Sequence, residues 1–211
     1  MNNTKQKLRS GQPVFGGWLM TGNPAVAEIM ANEGFDFLGV DMEHTPTNVE
    51  GFYHIALAAQ GTGCDLLARL PSCDPVLAKQ VLDMGAAGII VPSVNSPEEA
   101  AQAVAMAKFP PAGIRGASLC RASGYGRRFG EYFAAHNREV IVVVMLEHIQ
   151  ALPQADANIS TGFAAFVTAL RLGCSDIGLV GFDGSVDTRT RYTGDPLYRT
   201  RATDAHIYRR W

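Results

Sequence analysis

Short apolar runs alternate with strongly signalled helix starts through the first half of this chain, and that alternation limits the fold more than any single motif. Val14 to Leu19 is strand-like; Asn23-Pro24 then supplies a cap and a first-turn proline before Ala25, Val26, Ile29 and Met30, which share one helical face, and Gly34 closes that helix. Phe37 to Val40 reads as a buried strand, and Thr47-Asn48-Val49-Glu50 has capping-box spacing ahead of Val49, Phe52, Ile55, Ala56 and Ala59, a stripe ended by Gly61. Leu66 to Leu70 is the third strand, followed by a helix from Asp74-Pro75 with Leu77, Val81 and Met84 inward. Gly88 to Val91 is the fourth, and Ser96-Pro97-Glu98-Glu99 combines cap, first-turn proline and capping-box glutamate. Four βα units in a row imply a parallel sheet with every βα loop on one face. A barrel and an open doubly wound sheet both satisfy this pattern. No GxGxxG or GxxxxGK[ST] occurs, which removes support from the nucleotide-binding open sheets and favours a (β/α)8 TIM barrel.

The ends of these strands carry charge. Asp41, Glu43 and His44 follow the second strand and Arg69 closes the third. Val140 to Leu146, the longest β-branched and apolar run, delivers Glu147. Polar groups crowded where a buried strand becomes a loop are costly unless they bind or react, and the C-terminal strand ends are where barrel enzymes keep their chemistry. Asp41, His44 and Arg69 are expected to meet there, with Glu43 as a structural partner. The Gly-, Arg- and Tyr-rich stretch after Lys108 is too long for a plain connection and reads as a loop over the active-site face, with Tyr132 to Asn137 helical.

The 211 residues allow one sizeable core and are short for two. A formal charge of −2 implies no general attraction to nucleic acid or anionic membrane. The polar start MNNTKQKLRSGQP has no signal-peptide core, and no run approaches a membrane span. Cys64, Cys73, Cys120 and Cys174 form no CxxC pair, so they read as thiols of a cytoplasmic protein.

Taken together, GWLMTGNPAVAEIMANEGFDFLGVDMEHTP, LLARLPSCDP, VLDMGAAGIIVPSVNSPEEA, FPPAGIRGAS with the later GYG, and VVVMLEH resemble, in order and spacing, the pyruvate-dependent class II aldolases of the HpcH/HpaI type. The resemblance covers about Gly16 to Ala155 and implies a barrel of the phosphoenolpyruvate/pyruvate-binding type. It implies a divalent metal cation, with pyruvate chelating it through carboxylate and keto oxygens. By this resemblance Glu147 is a metal carboxylate, Arg69 stabilises the enolate oxygen, and His44 paired with Asp41 is the acid/base dyad for the aldol hydroxyl. Backbone near Gly116 and Ala117 cradles the pyruvate. The chemistry is coherent by itself: cleaving a carbon–carbon bond beside a ketone leaves an enolate, which a hard cation and a fixed guanidinium stabilise. Oxygen ligands favour Mg2+, Mn2+ or Co2+, and a histidine suits the proton transfer. The expected activity is cleavage of a 4-hydroxy-2-oxo acid to pyruvate and an aldehyde. The rivals are a related enolate-forming lyase acting on another oxo acid or an acyl-CoA, and an inactive aldolase-like fragment.

The pattern departs from the family at two places. Met145 stands where the family often has glutamine. After Gly162 to Val167 the segment TALRLGCSDIGLVGFDG lacks the GPxDLS-like motif that carries the second metal aspartate, and Asp176 and Asp183 do not sit in its context. Codons permitted from Thr168 onward, read one nucleotide later, spell R-P-Y-D-L-A-A-R-I-S-G-L-L, close to the missing segment, so a reading-frame break near Thr168 is expected. On this reading residues 1–186 are an incomplete barrel, and 187–211 are an atypical tail with the composition of a disordered segment. The family's homo-oligomer uses C-terminal helices between subunits, and this tail, without an apolar helical stripe, is not expected to supply them.

Overall fold

The computed structural model describes residues 3–147. Their core is a parallel sheet in the order β1 (Gly16–Leu19), β2 (Phe37–Asp41), β3 (Asp65–Arg69), β4 (Gly88–Val91) and β5 (Ile141–Val144). Helices α2 (Pro24–Asn32), α3 (Val49–Ala58), α4 (Pro75–Asp83) and α5 (Pro97–Ala107) make the successive crossovers, and α6 (Phe129–Glu139) leads into β5. Each strand pairs in parallel with the next, with Asp41 opposite Arg69. The expected strand–helix alternation is therefore present. Thr168 and the tail 187–211 lie outside the described residues, as do Asp176, Asp183 and the sixth and later strands of a barrel.

The helix starts follow the capping chemistry. Asn23, Asp74 and Ser96 each accept a backbone N–H from the first turn, with proline next in line. At α3 the cap is Asn48, which accepts from Gly51, rather than the neighbouring Thr47. Thr47 is instead buried, its hydroxyl 2.9 Å from that of Thr45.

The sheet has two differently covered faces. Leu38, Val40, Leu66, Ala68, Leu70, Ile89 and Val91 pack with the helices. The alternate residues Phe37, Leu67, Ile90 and Ile141 form a smaller cluster on the other face. Two glycines shape this second face. A Cβ on Gly16 would overlap the Phe37 ring, and one on Gly39 would overlap Trp18, so each ring lies over a glycine of the adjacent strand.

The polar N-terminus forms a helix that the sequence reading did not foresee, α1 (Asn3–Arg9), docked by hydrogen bonds at the N-terminal edge of the sheet. Thr4 N–H donates to Asp65 Oδ2 (2.8 Å) and its hydroxyl to the Asp36 carbonyl (2.9 Å), while Lys5 Nζ donates to the Val140 carbonyl (2.9 Å). Lys7 pairs with Asp36, whose carboxyl burial would raise; the Lys7 contact and the Phe15 N–H outweigh burial and hold it below the usual range. Burial raises the Asp65 carboxyl despite the Thr4 bonds.

The stretch after α5 departs from expectation. Arg121 donates to the Met84 carbonyl (2.6 Å), the Ala56 carbonyl (2.9 Å) and Gln60 Oε1 (3.0 Å), at the C-terminal ends of α4 and α3. Crossover helices run against their strands, so these ends lie on the side opposite the C-terminal strand edge. Unused helix carbonyls attract a guanidinium there, and the loop is held away from the active-site face. Its helix α6 is also longer than the expected Tyr132 to Asn137.

Arg115, from the same stretch, is fully enclosed. It donates to Asp83 Oδ1 (2.6 Å), meets His136 Nε2 at 2.6 Å and lies over the Phe109 ring at 4.6 Å. His136 Nε2 is also 2.8 Å from the Ala107 carbonyl. Burial, and then the Arg115 charge, push the His136 imidazole down to about 4.

Candidate active site

Asp41 is the last residue of β2 and Arg69 the last of β3, and both share the parity of Phe37 and Leu67, so their side chains lie on the face away from the helices. Asp41 is completely buried. Its Oδ1 accepts Arg69 Nε (3.0 Å) and the backbone N–H of Glu43 (2.9 Å) and His44 (3.1 Å); its Oδ2 accepts Arg69 Nη2 (2.5 Å). Burial would raise this carboxyl, but the Arg69 bonds and the two N–H groups prevail and hold it below the usual carboxylate range. The Thr45 hydroxyl closes the turn on the Asp41 carbonyl. Met42 N–H to the Arg69 carbonyl (3.0 Å) carries the ladder to the lip of the site.

Arg69 is thus committed at two nitrogens. Its third, Nη1, is 3.4 Å from Glu43 Oε2, and the guanidinium lies over Trp18, 5.1 Å from the ring centre. His44 points outward and is the most exposed group of the cluster; its Nε2 is 3.6 Å from Glu43 Oε2. His44 and Asp41, expected as a pair, are brought together here through the His44 backbone N–H. Asp41 grips His44 by its main chain, and the carboxylate beside the imidazole belongs to Glu43, because Arg69 occupies the Asp41 fork.

Glu147 stands on the same edge of the sheet, just beyond β5, and continues the parity of Ile141, Val143 and Met145. Met145 N–H to the Val91 carbonyl (2.9 Å) and Val94 N–H to the Met145 carbonyl (3.0 Å) fasten this strand end to the loop after β4. In that loop Ser93 adopts a left-handed conformation (φ 53°) and donates its N–H to Glu147 Oε2 at 2.7 Å, with its hydroxyl at 3.3 Å. Sequence reasoning missed Ser93; its one signal was a position just past a strand end.

Gly116 and Ala117 are not brought into this group. Both are exposed, Gly116 faces Lys79 of α4, and Arg115 beside them is anchored at the C-terminal end of that helix. The loop expected to cradle pyruvate with its backbone near Gly116 and Ala117 is drawn to the far side by Arg115 and Arg121.

Among the described residues no group of three or more His, Cys, Asp or Glu could hold a metal ion. Glu147 alone offers a hard oxygen donor at the strand edge. Magnesium-like ions are commonly held by one or two carboxylates plus substrate and water. Glu147 therefore fits as one ligand of such an ion, and the described residues do not complete a protein-only site.

A parallel βα sheet with a buried carboxylate–arginine pair, a histidine and a further carboxylate along its C-terminal edge has the layout of a βα enzyme. The chain belongs to the HpcH/HpaI aldolase/citrate lyase family, whose model matches residues 15–179 and so continues past Thr168. It is 36% identical over 208 residues to a 4-hydroxy-2-oxovalerate aldolase of Novosphingobium aromaticivorans, covering 96% of this chain and 78% of that one. It is 34% identical over 160 residues to a 5-keto-4-deoxy-D-glucarate aldolase of Escherichia coli O139:H28, covering 76% of this chain and 62% of that one. A crystal structure of a family member from Burkholderia cenocepacia J2315 superposes with a TM-score of 0.68 at 33% identity, covering 72% of this chain and 62% of the other. The matches thus span between about three fifths and four fifths of these relatives.

Proposed function

We propose that this protein is a carbon–carbon lyase that cleaves 4-hydroxy-2-oxo acids to pyruvate and an aldehyde on a (β/α)8 barrel. The observation that carries the reading is the alignment of His44, Arg69 and Glu147 along one edge of the sheet, at the ends of β2, β3 and β5. Aldolase relatives at 34–36% identity support the reaction class.

In the cleavage direction, His44 takes the proton of the 4-hydroxyl group. The C3–C4 bond breaks, the aldehyde carbonyl forms, and the bonding pair becomes the enolate of pyruvate, which a proton at C3 converts to pyruvate. Arg69 Nη1, the guanidinium nitrogen not bound to Asp41, faces the developing enolate oxygen. Asp41 fixes that guanidinium in advance, so little reorganisation is left for the reaction itself. Trp18 covers the guanidinium and limits water at it. A divalent cation held in part by Glu147 supplies Lewis-acid polarisation of the 2-oxo group when bound. Mg2+, Mn2+ and Co2+ all suit its oxygen donor. The reading includes a homo-oligomer and a cytoplasmic location, the latter in keeping with the free thiols Cys64, Cys73 and Cys120. No helix among the described residues is long and apolar enough to cross a membrane.

The test is to incubate the full chain with a 4-hydroxy-2-oxo acid and each of the three cations, and to measure pyruvate and aldehyde separately. Equimolar, cation-dependent release of both is expected. Absence of both with every cation, from a sample shown to be folded, overturns the proposal.

A further inference from the structure

The loop that grips Glu147 is itself gripped, and Asn95 is where its bonds converge. Glu99 Oε2, in the first turn of α5, accepts the Asn95 N–H at 2.6 Å. The Asn95 side chain reaches back two residues, and its Nδ2 donates to the Ser93 carbonyl at 2.8 Å. Ser93 in turn gives its N–H and its hydroxyl to Glu147 Oε2. A chain of hydrogen bonds thus runs from the start of α5 to the carboxylate beyond β5.

The two gripped groups of Ser93 flank one Cα. Its carbonyl belongs to the peptide whose N–H, that of Val94, is fastened to the Met145 carbonyl. Its own N–H belongs to the preceding peptide, which follows directly from β4. Between the two sits the left-handed φ of 53°, a conformation that an unconstrained serine avoids. Relaxation to an ordinary φ requires one flanking peptide to turn. The sheet holds the first of them; Met145 and Asn95 hold the second.

Stability does not account for an asparagine here. Asn95 Oδ1 is closed off from solvent and has no hydrogen-bond partner among the described residues. An enclosed acceptor in that state is a cost that an apolar side chain of similar size avoids. The amide nitrogen, by contrast, sits on the carbonyl of the one strained residue that touches Glu147.

We propose that Asn95 is a positioning residue for the cation ligand Glu147 and acts through Ser93. Its bond keeps Ser93 left-handed, the Ser93 N–H keeps Glu147 Oε2, and Oε1 is left to the cation. The role rests on the reading of Glu147 as a cation ligand; the bonds from Asn95 to Ser93 and on to Glu147 do not. Glycine adopts positive φ as readily as negative, so the dependence on Asn95 should fade in Ser93→Gly.

The experiment uses the full chain as wild type, Asn95→Leu, Ser93→Gly and the double variant. Leucine is close to asparagine in size and lacks both the donor and the orphaned acceptor, so the thermal midpoint should change little. Asn95→Ala removes the same donor with no added branching; it is measured alongside and should behave alike. Titration calorimetry with Mn2+ is expected to show affinity about 10-fold weaker in Asn95→Leu, the low end of what losing a ligand's hydrogen-bonded support does. Adding Ser93→Gly should bring it back to within about threefold of wild type. In cation-free 1H–15N spectra the Ser93 amide should exchange with solvent about 10-fold faster in Asn95→Leu than in wild type. Unaltered Mn2+ affinity in folded Asn95→Leu and Asn95→Ala overturns the proposal, as does a loss that Ser93→Gly fails to restore. A wild type that binds no Mn2+ overturns the cation reading of Glu147 itself, whereas wild-type binding that the Asn95 variants leave untouched overturns only the role of Asn95.

Discussion

Arg69 reaches Asp41 through two nitrogens at once, Nε at 3.0 Å and Nη2 at 2.5 Å, from directly opposite positions on adjacent strands. A fork of this kind fits only arginine. Replacing Arg69 by Ala leaves a fully buried carboxylate without its cation and is expected to cost about 3–5 kcal/mol in urea denaturation. Arg69→Lys restores charge but not the fork, so it should recover part of that stability. In an active preparation it is expected to lower kcat by about 100-fold, as removal of a charge-stabilising donor commonly does.

Ser93 and Glu147 make a second testable pair. A left-handed non-glycine residue carries strain of about 1–3 kcal/mol. Ser93→Gly relieves it and keeps the N–H that holds Glu147, so titration calorimetry should find divalent-cation affinity nearly unchanged and thermal stability equal or raised. Ser93→Pro removes the N–H and cannot adopt φ 53°. It should weaken both cation binding and the fold, and Glu147→Gln should weaken cation binding alone.

The buried His136 predicts a pH dependence of stability. Its folded-state value, about 4, lies below the ordinary 6.5, so the unfolded chain binds the extra proton. The contribution is full above pH 6.5 and is lost as pH falls from there through about 4, amounting to about 3 kcal/mol. Urea midpoints measured from pH 7.5 to 4.5 should fall along this window, and His136→Phe should flatten the slope.

Gly39 is expected to be intolerant of even one carbon. A methyl group there collides with the Trp18 ring, on which the Arg69 guanidinium rests. Gly39→Ala should destabilise the chain by about 1–3 kcal/mol, as overpacking does. Trp18 fluorescence should shift with it, since the ring must leave its place.

What the sequence made legible follows the physics that is local. β4 was read to the residue, and the caps at Asn23, Asp74 and Ser96 were read correctly, because cap and proline signals act within one turn. The placing of Asp41, Arg69 and Glu147 at strand ends followed from the same punctuation. Long-range contacts were not legible. Nothing in IRGASLCRAS says that Arg121 will find the Met84 and Ala56 carbonyls, so the loop was assigned to the wrong side. Where the His44 ring turns was not legible for a similar reason: two carboxylates two residues apart flank it, and the sequence does not say which of them Arg69 takes. The resemblance named the family, which the comparisons bear out, but the arginine's choice had to be seen.

α1 was invisible because its docking groups are Thr4 and Lys5, not an apolar stripe. Its bond from Lys5 to Val140 spans 135 positions. During synthesis, then, α1 can meet Asp36 and Asp65 once the third strand is out, but its Lys5 bond waits for the fifth. One helix thus closes a contact between two ends of the sheet that the ribosome delivers more than a hundred residues apart.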